Sequence, residues 1–161
     1  MIDGPIHVLT TVAAVGSAVM AGCFLIFSVM VMPALARLSA TQGIAAMQQI
    51  NIVAIRPVFM TTLFAPALIS IVLLIVSIAE LGETWAGYVL AGSVTYLIAA
   101  IVVTAGYNVP RNNALAELDP ADPNAEAHWG QYVREWTRSN HVRALGSLAA
   151  AVLFTLALVS R

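Results

Sequence analysis

Four long stretches of this chain carry no charged side chain: Val8–Ala36, Pro57–Ala79, Thr84–Pro110 and Ala144–Ser160. A helix that crosses a bilayer needs about 20 predominantly apolar residues, since only a helix or a closed barrel satisfies its own backbone there. The first three stretches are long enough alone. The fourth must borrow Ser139–Arg143, with Arg143 either snorkelling to the interface or facing the bundle interior. Charged residues make up only 9% of the chain, against roughly a quarter in soluble domains. The expected fold is all-α: a four-helix transmembrane bundle with short amphipathic cytoplasmic helices in loops 1 and 3. It is read as a single integral membrane domain over residues 1–161, with spans at about 8–36, 57–79, 84–110 and 141–160. The first span does not read as a cleavable signal, being too long and flanked by Asp3 rather than by basic residues.

Arginine placement sets the expected orientation. With four spans, Arg37, Arg56, Arg111, Arg134, Arg138 and Arg143 share one side, and the other side holds only Arg161. The positive-inside rule then puts loops 1 and 3 in the cytoplasm and both termini outside, with a bacterial inner membrane as the expected location. A net charge of −1 leaves no footprint for nucleic acid. The single cysteine, Cys23, excludes an internal disulfide and a cysteine-based metal site. Ala14, Ala18 and Gly22 recur on one face of span one, a surface suited to close helix packing within the bundle or in a homo-oligomer.

The segment Asn108–Arg143 breaks the apolar pattern. It gathers four of the seven arginines, two of the three tryptophans and a series of asparagines. Pro110 is expected to stop the third helix. A new helix, capped by Asp122 or Asn124, is expected to run on through span four. At 100° per residue, Trp129, Tyr132, Trp136, Asn140 and Arg143 fall in one narrow stripe, with Arg134, Glu135 and Arg138 opposite. His141 lies beside the charged face. Interfacial Trp and Tyr are common in membrane proteins, but an aromatic belt does not require Asn140 and Arg143. Loop 1 reads as a helix capped near Thr41 and running to Ile55, with Asn51 on a face shared by Ile44, Met47 and Ile55. A buried amide needs partners, so Asn51 either bonds a neighbouring loop or contacts a ligand.

Several chemistries are poorly supported. His7, His128 and His141 do not converge, and the spans hold no carboxylate at ligand spacing, so no metal site is expected. No span carries a charge that would mark a transport path. There is no phosphate loop and no dinucleotide fingerprint. What remains is a rim of Asn51, Arg56, Asn108, Asn112, Trp129, Tyr132, Trp136, Asn140, His141 and Arg143. Amides and arginine suit an oxygen-rich organic molecule, and aromatics stack on a planar one. The same rim also fits a non-catalytic protein that binds a lipid, a quinone or a partner subunit.

At these residues the chain resembles the anthrone oxygenase-like family of small four-span membrane proteins. The resemblance rests on Phe27-Ser28 before Met32-Pro33-Ala34-Leu35, and on Gln49-Ile50-Asn51 with Arg56-Pro57 and Phe59. It rests also on Asn108-Val109-Pro110-x-Asn112 with Leu115, and on Trp129-x2-Tyr132-x3-Trp136-x3-Asn140-His141-x-Arg143. It implies an oxidoreductase that inserts oxygen at an activated ring carbon of a hydrophobic aromatic, anthrone-like molecule. No cofactor is expected, molecular oxygen serving as co-substrate. His141 would act as base, Asn140, Asn108 and Arg143 would hold the oxyanion, and Asn51, Arg56, Asn112, Trp129, Tyr132 and Trp136 would bind substrate.

Overall fold

Each long apolar run forms a helix, and the helices outlast the runs. In the computed structural model, which describes residues 2–160, α1 is Gly4–Leu35, α2 is Ala40–Ala54, α3 is Pro57–Ala79, α4 is Thr84–Ala116 and α5 is Ala125–Val159. Four of these, α1, α3, α4 and α5, are long and apolar enough to cross a membrane. At 1.5 Å per residue, the 35 residues of α5 extend about 52 Å, well beyond a hydrocarbon core of about 30 Å. Loop 3 therefore contains no separate helix. Its expected helices are the extended ends of α4 and α5, joined by the turn at 117–124.

The structure corrects three local expectations. Ser39, not Thr41, caps α2, its Oγ accepting the Gln42 N–H at 3.3 Å. That helix ends at Ala54, so Ile55 leaves the Ile44–Met47–Asn51 face and is 72% exposed. Pro110 does not end α4. Both Pro33 in α1 and Pro110 in α4 follow a π turn, Phe27–Val31 and Thr104–Asn108 respectively. Each turn is closed by the residue just before the proline: the Met32 N–H donates to the Phe27 carbonyl, and the Val109 N–H donates to the Thr104 carbonyl. In an α-helix a proline ring collides with the carbonyl four residues back. The wider turn moves that carbonyl aside, and the helix restarts with proline in its first turn, where no N–H is needed.

The four long helices pack in the cyclic order α1–α3–α4–α5. Their core holds Ala13, Met20, Phe24, Leu63, Leu73, Val89, Tyr96 and Phe154. Small residues set the close approaches. A Cβ at Gly16 would lie 2.5 Å from Pro66 Cγ of α3, and a Cβ at Gly146 would collide with the Ala99 side chain of α4. The Ala14–Ala18–Gly22 series is split: Ala14 is buried in the bundle, whereas Ala18 and Gly22 are exposed. A second cluster lies beyond the bundle at the loop-1 and loop-3 end. There Met32, Ile44, Met47, Leu115, Trp129, Tyr132 and Trp136 bind α2 to the extensions of α4 and α5. Gln48 fixes α2 further, its Nε2 donating to the Leu115 and Leu118 carbonyls at 2.8 and 3.0 Å.

Candidate functional site

Between the two clusters lies a cavity of about 490 Å³, within the usual range for small-molecule sites. Cys23, Phe24 and Phe27 of α1 form one wall, and Phe59, Met60 and Leu63 of α3 form another. Helix α2 closes it with Met47, Ile50 and Asn51, while Thr104, Asn108 and Asn112 come from α4, and Trp136, Asn140 and Arg143 from α5. The surface is overwhelmingly apolar, with a few polar groups contributed by α2, α4 and α5. Two π turns border the cavity directly and place Phe27, Thr104 and Asn108 on its wall. Such turns concentrate at functional sites.

Arg143 is the dominant electrostatic feature. It is 5% exposed, and among the described residues no carboxylate lies within ion-pair distance of it. Its guanidinium lies 3.8 Å over the Phe24 ring centroid, and Nη1 donates to Asn140 Oδ1 at 3.2 Å. Nε has no partner. Arginine keeps its proton in proteins, so this is a fixed buried positive charge with no counter-ion among the described residues. Taking such a charge from water costs several kcal/mol unless something anionic or strongly dipolar answers it.

Asn140 is fully engaged. Its Nδ2 donates to the Phe24 carbonyl at 2.7 Å and to Ser28 Oγ at 2.8 Å, while Oδ1 receives Arg143. It thus ties α5 to α1 and aims the guanidinium. Asn112 organises the aromatic wall: its Oδ1 accepts from Tyr132 Oη and from Trp136 Nε1, both at 2.9 Å. The rings of Trp129, Tyr132 and Trp136 stack in series at centroid separations of 5.7 and 6.4 Å. Trp129 covers Gly43, where a Cβ would come within 2.6 Å of the indole. Asn108 is 1% exposed and donates at 3.5 Å to the Trp136 carbonyl, leaving Oδ1 without a partner. Asn51 Nδ2 makes no well-formed hydrogen bond either, its polar neighbour being the Tyr132 hydroxyl that already donates to Asn112. Buried polar atoms are normally satisfied. Three cavity-lining residues, from α2, α4 and α5, therefore each keep an unanswered atom: an amide donor on Asn51, an acceptor on Asn108 and a cationic donor on Arg143.

A family model described as Anthrone oxygenase matches residues 5–153, nearly the whole chain. This chain belongs to the anthrone oxygenase family. Nothing similar to it is found among curated proteins or among solved structures.

The structure sorts the candidate residues of this family member into three groups. Asn51, Asn108, Asn112, Trp136, Asn140 and Arg143 come together on the cavity. Trp129 and Tyr132 are buried behind it, as supports of the wall. Arg56 and His141 stand apart. Arg56 is exposed at the start of α3, and His141 is exposed on the outer side of α5, about 100° around the helix from Asn140. The cavity lining contains no histidine, aspartate or glutamate, so it lacks the base that the sequence reading gives to His141. Among the described residues no three of His, Cys, Asp and Glu come together. Cys23, Phe24, Ser28, Met60, Leu63 and Thr104 were not singled out as site residues from sequence. Ser28 lies within the Phe27-Ser28 pair that carries the resemblance, the one signal that could have found it.

Proposed function

We propose that this protein is a membrane-embedded oxygenase that converts a hydrophobic anthrone-like molecule to the corresponding quinone within the α1–α5 cavity. The observation that carries this reading is Arg143: a buried, unpaired cation on the wall of an apolar, aromatic-lined chamber. The chamber favours a flat hydrocarbon, and the cation favours negative charge developing on its oxygen. Anthrone fits that demand. Removing a proton from its central methylene carbon delocalises the charge onto the ring oxygen. Arg143 stabilises that oxyanion, positioned by Asn140, while Asn108 and Asn51 offer an acceptor and a donor to neighbouring substrate groups. The released proton passes to interfacial water beside Gln49, the one exposed polar residue of the lining, and returns from there to the peroxide formed in the next step.

Molecular oxygen, soluble in the apolar interior, is the co-substrate. It adds to the electron-rich carbon and gives a hydroperoxide, which loses water to form the new carbonyl. One anthrone and one O2 yield one anthraquinone and one H2O, so atoms and electrons balance without another reductant. On the arginine distribution, the cavity end lies in the cytoplasm and the termini outside, in a bacterial inner membrane. The absence of a base among the lining side chains favours a second reading, a non-catalytic carrier of quinone-like molecules in the same cavity.

The test is oxygen uptake and quinone absorbance with anthrone and protein in lipid nanodiscs. Conversion should exceed the spontaneous rate, and Arg143→Gln should lower it by about 100-fold, the usual effect of removing an oxyanion donor. Spontaneous-rate conversion together with Arg143-dependent binding would establish the carrier. Enzymatic conversion unchanged in Arg143→Gln would remove the proposed site.

A further inference from the structure

We infer that ligand reaches the cavity sideways from the bilayer, through an apolar portal around the first turn of α3. This deepens the proposed function and rests on its placement of the ligand in the cavity. Three observations converge. First, the water-facing end is closed. Met32, Ile44, Met47, Trp129 and Trp136 are buried between α2 and the helix extensions, and Gln48 pins α2 to the carbonyls of Leu115 and Leu118. Second, the bundle centre is also closed, by Phe24, Leu63 and Tyr96, whose hydroxyl donates to the Leu63 carbonyl at 3.0 Å.

Third, the remaining side is open and greasy. Val53, Ile55 and Val109 line the cavity and are nonetheless 53%, 72% and 40% exposed. Beside them Val58 is 82% exposed and lines an outer groove between α1 and α3 that rises to the Gly16–Pro66 contact. The 23 residues of α3 measure about 34 Å, so its first turn sits where hydrocarbon begins. Arg56, exposed next to it, marks the headgroup level. A soluble protein would not leave valine and isoleucine around a cavity mouth in this way, whereas a molecule dissolved in the leaflet meets no polar barrier there. Gln49 is the one polar, exposed residue on the lining.

Cys23, the sole cysteine, lines the cavity and supplies the reporter. In nanodiscs, uncharged pyrene maleimide and a sulfonated, charged maleimide are compared for their rate of reaction with it. The uncharged reagent should react at least about tenfold faster once each rate is normalised to a model thiol, because charge is excluded from an apolar passage. Val58→Trp, at a rim position outside the lining, should slow the uncharged reagent about fivefold or more, with Ile78→Trp at the far end of α3 as the neutral control. Gln48→Ala should accelerate only the charged reagent. Equal normalised rates for the two reagents in the wild-type protein would overturn the portal, as would a properly folded Val58→Trp protein that reacts at the wild-type rate. Equilibrium binding of anthraquinone to each variant separates the two ideas. Retained binding with unaltered Cys23 kinetics removes the portal alone, whereas no binding in the wild-type protein removes the proposed ligand and leaves the portal result standing.

Discussion

Replacing Asn112 by leucine should unlock the aromatic wall, and its cost can be worked from two hydrogen bonds. Asn112 Oδ1 is the sole acceptor found for both Tyr132 Oη and Trp136 Nε1, each at 2.9 Å. Tyr132 and Trp136 are buried, so water cannot easily take over. A stranded buried donor costs about 1–3 kcal/mol, which brings Asn112→Leu to about 2–6 kcal/mol. Tyr132→Phe alone deletes one donor and leaves Asn112 bonded to Trp136, at a cost of about 1 kcal/mol. In the double variant only the Trp136 donor is stranded. The double variant should therefore be more stable than the sum of the single losses predicts, by about 2–4 kcal/mol on these costs. Reversible unfolding in mixed micelles, followed by far-UV circular dichroism, gives the four stabilities. Strict additivity would refute the argument, because it would mean that the shared acceptor does not join the two rings energetically. The same loss should redden tryptophan emission as Trp136 meets solvent.

Two further predictions follow from close approaches. Gly43→Ala places a methyl within 2.6 Å of a Trp129 ring that is itself stacked on Tyr132, so it should destabilise the protein by about 1–3 kcal/mol and speed hydrogen exchange in α2 selectively. Gly146→Ala, which meets the Ala99 side chain, should lower the melting temperature measurably, whereas Gly22→Ala, with nothing within 4 Å, should leave it unchanged or raise it slightly through helix propensity.

What could be read from the sequence follows the range of the forces involved. The spans were legible because hydrocarbon imposes length and polarity on a contiguous stretch of chain. The buried stripe of Trp129, Tyr132, Trp136, Asn140 and Arg143 was legible because helical periodicity is local. The same arithmetic put His141 off the stripe, and the structure leaves it outside. Other features depended on distant partners. Asn140 bonds Ser28, 112 positions away, and Gln48 bonds Leu115, 67 positions away, and no local pattern announces either. Pro110 misled for a physical reason: its ring disfavours an ordinary α turn behind it, and there, as at Pro33, a π turn accommodates the proline instead of a break.

Those π turns also affect how such a chain can diversify. A π turn is in effect an α-helical turn carrying one additional residue: it closes five residues on instead of four, so the helix beyond it keeps its facing. Losing a single residue between Thr104 and Asn108 would let the turn close as an ordinary α turn, leaving Asn112 facing the chamber and the crossing of Gly146 on Ala99 where it is. Such a turn can thus take up or give up a residue, reshaping the wall of the chamber while the frame stays in register. Relatives with different chambers should then differ by gaps inside helices, and an alignment that confines gaps to loops would pair the wrong residues across the two walls.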